Sequence, residues 1–469
     1  MGWGKDIFCS FFLVIMKKDI AVLITFICSM LPIRSASKTL NPIQFGLLEA
    51  KNSYERYEIL YQTHCEACRL NANVSYKGIK RIEIDIPSEA KSIPLTEKTD
   101  FCGTSIYVTN NKNDLYLFEL TNETYPIDIS KELIDDGDFS TIPVLSKGFN
   151  LLVIEDETPW IKERLGYNYP VIRKDVLLIR NGKALNKVIS FYNNEWSKVR
   201  ASYRPVSNRK KTISNLRFIR TPGSSNKTFF VSISNQNNVS ISNVEISTPK
   251  DTLIRDVAIA IRNCTNIRFD HIIINGTYSL KDWSGYGISL GNVWNIYFNK
   301  FVGFGNWGVF GGNNVNFVTF KNSEMNRFDI HCYGRDVYFK NCSFRDLNNQ
   351  FSSIFGIISF ERCSFRDFIP IYIEPSFNAY TQFTIRVKNC TVREYDNKNY
   401  LIKMEDFYNT HINERPELNE KYWPIIDIDG LIIENSEKPF RLTNYNNSSL
   451  LDDDEAIQTI LNLKNIKVK

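Results

Sequence analysis

Histidine is scarce in this chain: four residues in 469. That excludes a His-rich metal centre and leaves any imidazole chemistry to isolated residues. A surplus of one charge is also missing. The formal net charge is only +5, which argues against a general nucleic-acid binder. Long helical periodicity is rare, and no apolar run beyond residue 37 approaches the roughly 20 residues of a membrane span. What the chain has instead is aromatics, 32 Phe and 23 Tyr, set in short alternating runs among Asn, Ser and Thr. That is the composition of β-structure.

The N-terminus reads as an export signal over residues 1–37. Lys17 and Lys18 precede an apolar run from Ile20 to Ile33, and Ser35-Ala36-Ser37 supplies small residues for cleavage. Met16, just before the two lysines, is a candidate true start. Cys28 follows Ile27 rather than a small residue, which argues against lipid modification. Cleavage after Ser37 removes Lys5, Lys17, Lys18 and Arg34 against Asp6 and Asp19, bringing +5 to +3. The expected location is therefore secreted, periplasmic or cell-surface.

The organising stretch is 263–394, where a short phrase recurs: Arg262-Asn263-Cys264-Thr265, Lys321-Asn322-Ser323-Glu324, Lys340-Asn341-Cys342-Ser343, Glu361-Arg362-Cys363-Ser364 and Lys388-Asn389-Cys390-Thr391. Alternating apolar residues precede it, as in Val337 and Phe339 or Ile385 and Val387. A repeat of roughly 20–30 residues built on short strands signals a solenoid. Each coil is too short to bury its own apolar face, so stacking must do it. Cys264, Cys342, Cys363 and Cys390 are then interior thiols, with Ser323 in the same ladder. Coil starts are read at Asn215, Asn238, Asn266, Asn295, Asn316 and Asp336, since Asn tolerates left-handed backbone angles at tight corners.

The expected fold is all-β, a right-handed parallel β-helix with an N-terminal helical cap and an irregular N-terminal lobe. The cap helix is placed at 42–73 within an N-terminal segment, 38–120, that also holds the first coils. An irregular lobe or insertion spans 121–214, with Asn181-Gly182 as a hairpin turn. The regular helix covers 215–440, and a last coil or cap 441–469. Cys65-Glu66-Ala67-Cys68 and Cys102 lack the second pair that a zinc site needs; a disulfide among them is an alternative.

Alternation in Phe328–Tyr333 puts Phe328, Ile330 and Cys332 inward and Asp329, His331 and Tyr333 outward. Aligning coils extends this face to Gln350, Ser352, Tyr372 and Glu374. One coil earlier, Gly308, Phe310 and Gly312 are expected outward as a close-approach floor. Arg327 and Arg335 flank the strip and suit carboxylates. Long loops at 277–285, with Trp283, and 395–424, with Arg415, are the expected walls of a groove. His271 reads as an exposed corner residue; His64 and His411 show no partners.

Asn-headed coils, the cysteine ladder and the export signal together resemble the right-handed parallel β-helix superfamily of pectate lyases and related secreted bacterial proteins, over roughly 215–440. Phe328-Asp329-Ile330-His331 is similar to the Asp-Pro-His core of alginate C5-epimerases, with Ile330 in place of proline. This resemblance implies catalytic Asp329 and His331, with His331 in proton transfer. The partner implied is a polysaccharide, particularly one containing uronic acids, acted on by a lyase or epimerase. Such chemistry needs a base, a cation beside the carboxylate and a second proton donor. His331 or Tyr333, Arg327 or Arg335, and Asp329 orienting His331 fill these roles. The sequence requires no cofactor, although a divalent cation is compatible with it. An inverting hydrolase using Asp329 and Glu374 is a variant, their strands being two coils or about 9.6 Å apart. The competing class is a non-catalytic glycan-binding or structural surface protein.

Overall fold

The computed structural model describes residues 38–111, 115–161, 171–188, 199–220, 228–247, 257–275, 286–304, 308–326, 328–345, 349–351, 354–366, 371–373, 382–394, 403–404, 425–434 and 461–469. The export signal, the loops at 248–256 and 276–285, and all of 395–424 except Lys403–Met404 lie outside them.

Among the described residues, twenty-three strands form one sheet whose neighbours pair in parallel, rung on rung. In one inward column Ile267 lies on Ile296, Ile296 on Val318, Val318 on Val337, Val337 on Ile358, Ile358 on Ile385 and Ile385 on Ile426. Two residues along, Phe269, Phe298, Phe320, Phe339 and Phe360 stack face to face, with centroids 4.6, 4.3, 5.2 and 5.0 Å apart. All five are buried. Burial contributes about 1.5–3 kcal/mol for each such side chain, and ring pairing about 0.5–1.5 more.

Corners between faces are made by residues with positive φ. One corner runs through Asn215, Asn243, His271, Lys300, Asn322, Asn341, Arg362 and Asn389. Another runs through Asn238, Asn266, Asn295, Phe317 and Asp336. The sequence reading merged the two, because both look like an Asn heading an apolar pair. Asn215 belongs to the first column, where it accepts a bond from Asn243. Phe317, not Asn316, turns the chain at its rung, with φ 56°. Side-chain amides bridge successive rungs at or beside the corners: Asn295 to Asn266 (2.6 Å), Asn322 to Asn299 (3.1 Å) and Asn341 to Asn322 (3.0 Å).

Cys342, Cys363 and Cys390 are buried in consecutive rungs just past the first corner, and Ser323 precedes them. Each thiol donates to a phenylalanine carbonyl of the preceding rung, at 3.5–3.6 Å. Cys264 is also buried but stands in another column, over Val293.

At the N-terminal end the helix is shorter than expected. Pro42–Phe45 is a 3-10 turn stopped at Gly46, and the α-helix runs Ser53–Arg69, with Asn52 capping Glu55 N at 2.8 Å. Tyr57, Leu60, His64 and Ala67 recur at helical spacing and are buried. This face lies on the first rungs and shares their core.

Residues 125–206 contain an antiparallel five-stranded sheet. Asn181 and Gly182, both at positive φ, turn Val171–Arg180 into Lys183–Ala184. One face packs Leu152, Ile154, Leu177 and Ile179 on Ile134 and Phe139. The other packs Leu151, Val153, Val176 and Leu178 against Trp294 of the parallel stack.

Candidate functional site

The register defines one outward column that changes character along the stack. Ser232, Ala260, Ser289 and Gly311 succeed one another, followed by Asp329, Gln350, Tyr372 and Lys403. A floor of small residues thus leads into a polar strip. The sequence reading placed the outward glycine one residue off. Gly312 pairs with Leu290 and Ile330 in the interior column, and Gly311 is the outward one. Because strand sides alternate, an error of one residue exchanges the faces.

Asp329 was expected in solvent. It is fully buried. Tyr286, at the start of Tyr286–Phe304, lies over Gly311 so closely that a Cβ there would meet its ring at 2.7 Å. Its hydroxyl donates to Asp329 Oδ2 at 3.0 Å. Glycine therefore admits the ring, the ring covers the column, and the hydroxyl meets the carboxylate two rungs on. Tyr286 was missed from sequence. The signal was an aromatic just after a long loop, facing a Gly-Gly pair one coil later.

His331 sits at a break in the ladder. Gly312 pairs with Ile330 and Asn313 with Cys332, so His331 is the extra residue of a β-bulge. The regular alternation from which Asp329 and His331 were expected on one face is thus interrupted between them. The register puts Cys332 on the exposed Asn313, rather than in an interior column. Bulges re-aim side chains, and they concentrate beside functional sites. The side chains of His331, Tyr333, Gln350 and Tyr372 lie outside the described residues, as do Arg327, Glu374, Trp283, Arg415 and Ser352 altogether.

Arg335 is not beside Asp329 in register. It pairs with Asn316, on the short segment near the docked antiparallel sheet. Its guanidinium lies 3.2 Å from Asp336 and 5.9 Å from the Phe317 ring, which in turn meets Trp294 edge-on. The structure thus stacks Asp329, Gln350 and Tyr372 in one column and separates Arg335 from them.

Among the described residues, no group of three or more His, Cys, Asp or Glu is placed to hold a metal ion. Cys65, Cys68 and Cys102 are free thiols. His271 does sit at a corner, with Lys300 Nζ at 3.0 Å and Asp270 at 3.4 Å. Among the described residues no helix is long and apolar enough to cross a membrane.

No protein-family model matches the chain, and no curated protein does. Similar solved structures include the Gp54 tailspike of Acinetobacter baumannii bacteriophage AP22, in complex with A. baumannii capsular saccharide. It shows 12% identity and a TM-score of 0.47, covering 92% of this chain and 79% of that one. The tailspike protein gp49 from Pseudomonas phage LKA1 shows 11% identity and a TM-score of 0.46, over 92% and 78%. PfbA, a surface adhesin of Streptococcus pneumoniae, shows 10% identity and a TM-score of 0.39, over 92% and 93%.

Proposed function

We propose that this chain is a secreted or surface-borne right-handed parallel β-helix that acts on a polysaccharide laid along the Ser289–Gly311–Asp329–Gln350–Tyr372 column. The observation that carries this reading is Asp329: a carboxylate in an outward column, fully buried, and bonded to Tyr286 above a glycine floor. Burying a carboxylate costs several kcal/mol before compensation. Earlier rungs fill the same column with Ala260, Ser289 and Gly311 at no such cost, so packing alone does not call for an acid. A buried carboxylate beside a β-bulge is the kind of group that reaction sites use.

In this reading Asp329, His331 and Tyr333 carry the proton transfers of a lyase or epimerase. Arg327 faces the substrate carboxylate, since Arg335 is engaged by Asp336. Tyr372 and Gln350 extend the subsite, and Trp283 and Arg415 wall it. The inverting hydrolase variant pairs Asp329 with Glu374. A second reading, non-catalytic glycan binding, is favoured by one fact: while Tyr286 lies across Gly311, Asp329 exposes no surface to a substrate.

Incubation with a polysaccharide panel, reading unsaturated product and new reducing ends, separates the two. On a responsive polymer Asp329→Asn is expected to lose roughly 10²–10⁴-fold in turnover, the usual contribution of acid–base groups, while still binding it. Gly311→Ala, which drives the Tyr286 ring off its seat, is expected to lower turnover in a folded protein. Full turnover in folded Asp329→Asn removes the catalytic role. Binding with no product in any variant selects the second reading.

A further inference from the structure

A second polar groove lies on another side of the stack, past the corners at Asn314, Phe317 and Asn322 on the Gly311 rung. It encloses about 880 Å³ around the first corner column. Asn322, Asn341, Arg362 and Asn389 form one wall. The floor is a column of hydroxyls, Ser343 on Ser364 and Ser364 on Thr391, with Glu324 on the rung before. Val302 and Glu434 mark its ends, so it crosses six rungs, or about 24 Å at the usual strand spacing.

Its chemistry is specific in what it omits. The lining carries two carboxylates, Glu324 and Glu434, against two guanidiniums, Arg362 and Arg393. Glu324 is paired to Arg345 and Arg362 to Glu361. Among the described residues the two signs balance, which argues against the phosphate-driven binding of nucleic acids. Among the described residues no aromatic ring lines the groove, so those residues offer polar contacts rather than ring stacking. What remains is a straight row of hydroxyl and amide groups at one rung spacing, bonded to one another along the row (Asn341 to Asn322, Arg362 to Asn341, Ser364 to Ser343), so a ligand meets only their remaining donor and acceptor positions. Such a row complements an extended, uncharged chain presenting hydroxyls at regular intervals.

We infer that this groove is a second glycan track, which holds a neutral stretch of polysaccharide along the stack axis, separate from the Asp329 column. The inference rests on the polysaccharide reading above and adds a substrate class to it: the neutral segment is gripped at the groove, while chemistry belongs to the other face. Two tracks on different sides let the protein stay attached to an insoluble polymer while a chain passes the Asp329 site.

The test fills the groove. Ser343→Tyr with Thr391→Tyr puts bulk on half-buried outward strand positions, where tyrosine is well accommodated; thermal melting checks the fold. Co-sedimentation with insoluble cellulose and mannan, and affinity electrophoresis in pectate, read the binding. Wild type is expected to bind a neutral polymer. The double variant should weaken that binding about tenfold or more, while Asp329→Asn keeps it. Unchanged binding by the folded double variant overturns the track, as does wild-type binding to pectate alone. Loss in Asp329→Asn but not in the double variant overturns the track and leaves the polysaccharide reading standing. No binding by wild type to any of the three overturns both.

Discussion

His64 is the strongest electrostatic liability in the N-terminal cap. It is fully buried under the helix face, between Pro94 and Tyr76, with the Phe118 ring 5.9 Å away. A carbonyl can only accept, so Nδ1 carries the proton and donates to Pro94 O at 2.9 Å. Nε2 then accepts from the Tyr76 hydroxyl, also at 2.9 Å. The neutral ring is therefore fully satisfied, and burial pushes its pKa down to about 4, against a smaller opposing effect of the Pro94 carbonyl. In the unfolded chain the ring titrates near 6.5. Between those values the unfolded state holds a proton that the folded state refuses, so stability falls as pH drops from about 6.5 to about 4 and levels off below. The gap between about 6.5 and about 4 corresponds to about 3 kcal/mol. Urea titrations from pH 7.5 to 4, with hydrogen exchange over Ser53–Arg69, measure this directly. His64→Gln removes the titration, and its stability should change less over that window by about this amount. Equal pH slopes for the two proteins, or an NMR titration of His64 near 6.5, would refute the argument.

Two further outcomes follow from the same packing. Gly356 has φ 77°, and a Cβ there would sit 2.2 Å from Asp336 Oδ1, which caps Ile357 N at 3.0 Å. Gly356→Ala should cost about 1–3 kcal/mol in denaturant unfolding, through backbone strain and loss of that cap; an unchanged midpoint contradicts it. Cys264, Cys342, Cys363 and Cys390 are buried, and burial raises the thiol pKa of Cys264 to about 12 and that of Cys363 well above the ordinary range. In native protein these four should resist alkylation while the exposed Cys68 and Cys102 react; peptide mapping after a short iodoacetamide pulse decides it.

Much of the architecture was legible because a stacked coil forces its sequence to repeat. Inward positions must be apolar at the same place on every rung, and a corner with positive φ selects Asn. Val337, Phe339, Cys342 and their counterparts therefore announce themselves. What was lost was anything that depends on counting one residue correctly. An Asn at one corner is indistinguishable by type from an Asn at another, so Asn215 was assigned to the wrong column. Phe317 turns a corner that composition would give to Asn316. At His331 the bulge inserts a residue without changing the pattern of residue types, and the outward column past Asp329 shifts. His64 seemed partnerless because Pro94 and Tyr76 reach it only through the docking of the helix on the first rungs.

Several of the errors fall together. Gly311, Gly312, Asp329 and His331 share two consecutive rungs; the ladder also shifts at Ile84/Asp85, Ser214/Leu216 and Arg335/Val337, but here a shift coincides with a glycine pair inside a strand and a fully buried carboxylate. A solenoid gains nothing in stability from any of these. Its rungs are nearly equivalent neighbours, so a cost at one rung is borne locally and can persist only if the rest of the stack is sound. The continuous phenylalanine and isoleucine columns on either side provide that support. Regular rungs hold the frame, and the irregular pair is where this chain departs from what folding alone would choose. That concentration of cost, more than any motif, directs the search for chemistry to Asp329 and Tyr286.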